Sequence, residues 1–101
     1  MVYLKVMVNK IIYNKQPGLI CCTFIDVHHK QWTIVEKIPV LFSADRSLPK
    51  LSDEGFYIPG YILSKTGNNI VFSTLEPFGI SNENSETTFV VSKDQVREVQ
   101  S

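Results

Sequence analysis

The residues best able to do chemistry lie close together in the first third of the chain. Cys21 and Cys22 precede Ile25-Asp26-Val27-His28-His29-Lys30-Gln31-Trp32, so thiols, a carboxylate, two imidazoles and the only tryptophan fall within twelve positions. A metal centre on Cys22, His28 and His29, serving a metal-dependent enzyme, is the sharpest reading of this group. The spacing argues against it. Ligands two to four residues apart can reach one ion, whereas neighbours in a strand point to opposite faces, so CC and HH doublets diverge. The simpler expectation is a hairpin: Asp26 opens a turn, His28 and His29 stand at its solvated tip, and Trp32 returns into the core. No cofactor or metal site is assigned.

Other catalytic patterns are weaker still. There is no G-x-S-x-G elbow, and the glycines at 55, 60, 67 and 79 are isolated, each at a turn, so no phosphate-cradling loop is expected. Asp53 and Glu54 fall in a polar segment and read as a solvated loop. The expectation is a protein without enzymatic activity.

A second concentration of side chains is aromatic. Phe56, Tyr57, Tyr61, Phe72 and Phe78 fall within 23 residues, beside Pro59 and Pro77. Tyrosines beside prolines can line a groove for an extended peptide, and rings can also stack unpaired bases. The competing reading puts Phe56, Phe72 and Phe78 in the core and leaves the tyrosines straddling the surface. The functional version centres a partner-binding surface on Tyr57, Tyr61, Phe78 and Trp32, with His28 and His29 as its rim. Formal net charge is zero, which favours a protein partner over nucleic acid, whose binders carry a basic surplus. Charge is uneven along the chain. Residues 1–37 carry five lysines against Asp26 and Glu36, and residues 38–101 carry five basic against eight acidic groups.

The acidic segments Ser52-Asp53-Glu54 and Asn82-Glu83-Asn84-Ser85-Glu86 support an alternative function. Glu83 and Glu86 could present an anionic surface to a basic toxin or enzyme, as in an immunity or inhibitor protein.

The elements that must position these residues read as β almost throughout. Val2, Leu4, Val6 and Val8 alternate with Tyr3, Lys5 and Met7, the period of a half-buried strand. Pro17-Gly18 marks a turn. Leu19 to Asp26 is expected as a central strand, apolar on both faces, and Gln31 to Lys37 as the next. Pro39 interrupts its continuation and implies a bulge, an edge or a bend, which would leave an edge free to pair two copies. Residues 43–55 read as a polar excursion. Strands follow around Phe56–Lys65, Ile70–Leu75 and Thr87–Val91, with a tight turn over Thr66-Gly67-Asn68-Asn69. Ser92-Lys93-Asp94-Gln95 has the form of a capping box opening a short helix, with Val96 and Val99 inward.

At 101 residues and 44% hydrophobic, the chain suits one domain, spanning 1–101, with a core of its own. The predicted fold is all-β: a small single-domain β-barrel, or a two-sheet sandwich, with one short C-terminal helical turn. No apolar run reaches membrane-spanning length, and the start lacks the pattern of a signal peptide, so a soluble cytoplasmic protein with reduced cysteines is expected.

Overall fold

The computed structural model describes residues 2–13, 18–37, 42–43 and 56–98. The expectations for Pro39, for the 44–55 part of the polar excursion and for Val99 lie outside them. Among the described residues, eight antiparallel strands form one curled sheet, a half-barrel. They are β1 (Val2–Tyr13), β2 (Leu19–Ile25), β3 (Gln31–Lys37), β4 (Phe42–Ser43), β5 (Phe56–Thr66), β6 (Asn69–Ser73), β7 (Thr88–Ser92) and β8 (Val96–Glu98). The order across the sheet is β3-β2-β1-β5-β6-β7, with β4 beside β5 and β8 beside β1. Among the described residues there is no α-helix.

The alternation in the sequence becomes the inside and outside of the curl. Val2, Leu4, Val6 and Val8 of β1 face inward with Ile20, Cys22 and Phe24 of β2, Ile58 of β5, Phe72 of β6 and Val91 of β7. Burying each large apolar side chain contributes about 1.5–3 kcal/mol. β2 lies between β1 and β3, as its two-sided composition implies. Register shifts at Asn9, Ile12 and Leu63 are bulges, which bend a strand and steepen its twist, so the sheet can curl.

Gly60 sets how tightly it curls. A Cβ placed there would come within 2.2 Å of the Ser73 carbonyl oxygen and 2.6 Å of the Phe72 ring. Only glycine lets the Phe72 ring lie against the β5 backbone.

The turns follow local chemistry. Gly67, at φ +60°, is the first of two residues joining β5 to β6, the arrangement of a type II′ turn. Ser92 and Gln95 do form the capping box. It opens a single 3-10 turn, Lys93–Gln95, rather than a longer helix. Val96 leaves that turn in extended conformation because β1 offers it a ladder: Val96 pairs with Leu4, Arg97 with Tyr3 and Glu98 with Val2.

Curling brings β7 back against the β2–β3 hairpin. The Val27 amide donates to the Val90 carbonyl at 3.0 Å, and the Gln95 side chain donates to the Ile25 carbonyl at 2.7 Å. Beneath these bonds Phe89 meets Phe24 edge-on at 5.0 Å and Trp32 at 6.0 Å between ring centroids.

Candidate functional site

The outward face of β1 and β5 carries the chemistry. Along β5 the odd positions Tyr57, Pro59 and Tyr61 share one side, opposite in parity to the buried Phe56 and Ile58. Antiparallel pairing sets Tyr3 opposite Pro59 and Lys5 opposite Tyr57. On its other side β1 pairs with β8, which sets Arg97 opposite Tyr3. Directly opposed residues share a face, so Pro59, Tyr3 and Arg97 form a row across three strands, with Tyr57 and Lys5 forming the row beside it. The Arg97 guanidinium lies 5.9 Å from the centre of the Tyr57 ring, within cation–π range. Pro59 is buried beneath this face, Tyr3 and Tyr57 are half-buried, and Tyr61 is exposed at 44%.

A cleft of about 220 Å³ adjoins this face, lined by Lys5, Met7, Thr23, Ile25, Gln31 and Gln95 among others. Its origin is topological. β1 changes partner along one edge, pairing with β8 as far as Leu4 and with β2 from Met7 onward. The interval at Lys5 and Val6 is left without a strand, and Gln95 bridges it from the 3-10 turn. The lining is mostly apolar, with the exposed Lys5 at its edge.

The expected surface is only partly assembled. Tyr57 and Tyr61 fall on the same side of β5, four positions apart. Phe78 is exposed at 56%, on the 75–79 loop that leaves β6 just past Ser73, which pairs with Tyr61. The reading that placed Phe78 in the core with Phe56 and Phe72 holds only for the latter two. Trp32 does not join the face: its ring is buried against Phe89, and its indole N–H is taken by Asp26. His28 and His29 are exposed at the tip of the β2–β3 hairpin, on a different pair of strands from Tyr57 and Tyr61.

That tip answers the question of the histidine pair. Asp26 Oδ1 accepts the amides of His28 and Lys30 at 2.8 and 3.0 Å, and Oδ2 accepts the Trp32 indole at 2.9 Å. His29 takes the left-handed corner at φ +63°. Partial desolvation pushes the Asp26 carboxyl up, but the bonds from Trp32, Lys30 and His28, with the His28 imidazole nearby, together hold it below the usual carboxylate range. Cys22 faces the core, and burial, with a smaller contribution from Cys21, raises its thiol to about 12. Cys22, His28 and His29 are therefore not brought together, and no three His, Cys, Asp or Glu among the described residues are placed to hold a metal ion.

The second acidic segment is built into the fold. Glu83 accepts the Thr33 amide at 2.9 Å, and Glu86 accepts the side-chain amides of Asn82 and Asn84 at 3.3 and 3.5 Å. Asp53 and Glu54 lie outside the described residues.

Tyr3, Lys5 and Arg97 are the members of the face that sequence reasoning missed. The parity of β1 already put Tyr3 and Lys5 outward, but nothing local told which strand would lie beside them. No family model, curated protein or solved structure matches the chain.

Proposed function

We propose that this chain is a non-enzymatic protein-binding domain whose docking surface is the outward β1–β5–β8 face. The observation that carries this is the cross-strand pair Tyr3–Arg97 beside Tyr57 and Lys5, next to the cleft. Aromatic rings offer area for an extended segment at low entropic cost, and two cations favour acidic side chains in it. With no net charge on the chain, a protein partner fits better than nucleic acid. In this reading the protein works in the cytoplasm, where the unpaired Cys21 and Cys22 stay reduced.

The test separates surface from core. Tyr61→Ala and Arg97→Glu are expected to cost less than about 1 kcal/mol of stability, whereas Phe72→Ala costs about 3–5 kcal/mol. In native mass spectrometry of the protein from its own cell extract, both surface variants should lose a co-purifying polypeptide that the wild type retains. A partner retained by both variants, or a core-sized loss of stability in Tyr61→Ala, removes the proposal.

A further inference from the structure

β3 has β2 along one side, and among the described residues no strand lies along the other. Backbone N–H groups alternate between the two sides of a strand, so the donors facing away from β2 share one parity. Two hydrogen bonds identify it as odd. The Thr33 amide donates to Glu83 Oε2 at 2.9 Å, and the Lys37 amide donates to Glu36 Oε1 at 3.1 Å. The outward row is therefore Gln31, Thr33, Val35 and Lys37, with the Glu83 carboxylate on Thr33.

Glu83 reaches this edge from 50 residues along the chain, on a loop organised to hold it there. Asn82 is buried, and its Oδ1 accepts the amides of Asn84 and Glu86 at 3.0 and 2.8 Å. The Asn82 amide in turn donates to the Glu86 carbonyl, and Ser85 takes the left-handed corner at φ +62°. An acidic side chain is thus seated on a row of strand donors.

We propose that the β3 edge is a pairing surface for a second copy of this chain, and that Glu83 holds it shut in the single chain. An edge row of amides and carbonyls is a template for strand addition. This one is complementary to itself. Laid antiparallel about Thr33, two copies set Gln31 opposite Val35 and Lys30 opposite Glu36, on both sides of the two-fold axis. Thr33, Gln31 and Val35 all have outward donors, so the opposed pairs exchange backbone hydrogen bonds, while Lys30 and Glu36 oppose as unlike charges. Val35 is 53% exposed in the single chain and gains cover from Gln31 in the pair. This edge meets the cleft beside the tyrosine face at Gln31, and its test reads self-association, which the proposed function does not require.

Sedimentation velocity over a concentration series tests it. Glu83→Ala frees the Thr33 amide, and self-association should tighten roughly ten- to a hundredfold over the wild type. Adding Lys30→Glu sets like charges opposite each other and should reverse the gain. Adding Glu36→Lys to that double variant restores unlike pairs and should restore the dimer. Glu83→Ala with wild-type self-association, or a dimer that ignores the charge reversal or is not recovered by the swap, overturns the proposal. If circular dichroism shows that Glu83→Ala does not fold, Glu83→Gln carries the test, since it keeps the side chain's size and leaves only a neutral acceptor. It should self-associate more tightly than the wild type, and association no tighter than wild type overturns the proposal.

Discussion

The indole N–H of Trp32 donates to the Asp26 carboxylate at 2.9 Å, six residues back along the chain. The same carboxylate also closes the turn through the His28 and Lys30 amides. One side chain therefore couples the outermost point of the β2–β3 hairpin to a ring buried against Phe89. Lys30 adds a second tie, its ammonium 4.1 Å from the centre of the Trp32 ring.

Asp26→Ala should remove all three acceptor contacts and cost about 1–2 kcal/mol, since the site is partly solvated and its amides can turn to water. Thermal unfolding followed by Trp32 fluorescence measures it. A variant as stable as the wild type, with unchanged emission, would show that the turn holds without its carboxylate.

The depressed Asp26 carboxyl predicts an acid-dependent term. Its folded value lies below its unfolded value, so its contribution is fully present above about pH 4 and lost as pH falls through the folded value. The stability gap between wild type and Asp26→Asn should therefore narrow from pH 7 to pH 3. Urea unfolding at the two values decides it, and a constant gap would contradict the linkage.

Gly60→Ala should be destabilising by about 3 kcal/mol, because the new methyl meets backbone oxygen on β6 as well as the Phe72 ring. The penalty is steric rather than conformational. Phe72→Leu in the same chain should recover part of it, and additive losses in the double variant would place the clash elsewhere.

The two cysteines should differ sharply towards iodoacetamide. Cys22 is buried with its thiol raised to about 12, so it carries almost no thiolate at neutral pH, while Cys21 is half-buried on the opposite face. Mass spectrometry of the native protein should show one alkylated cysteine, Cys21, and two after denaturation. Equal labelling of both in the native state would contradict the assigned faces of β2.

Local features were legible because their causes are local. The alternation Val2-Leu4-Val6-Val8, the Gly67 turn, the Asp26 hairpin and the Ser92–Gln95 capping box each arise within a few residues, through side-chain parity, positive φ or a short hydrogen bond. Where local reading went astray, a distant strand intervened. The capping box reads as the start of a helix, but Leu4 offers Val96 a ladder partner and the chain extends after one turn. Phe78 reads equally as core or surface, because composition cannot tell which side of a loop faces water. Trp32 reads both as a core residue returning from the hairpin and as part of the binding surface, and Phe89 arriving from β7 decides for the core.

By itself, then, the sequence determined the all-β character, the inward and outward face of most strands, and the tips at which they turn. Only the tertiary structure decided that Tyr3, Pro59 and Arg97 share a row, and that Glu83 sits on Thr33. Side-chain parity is a property of one strand and can be read along it. The neighbours of a strand are chosen by closing long loops and filling one common core, a balance that no single stretch of the chain contains.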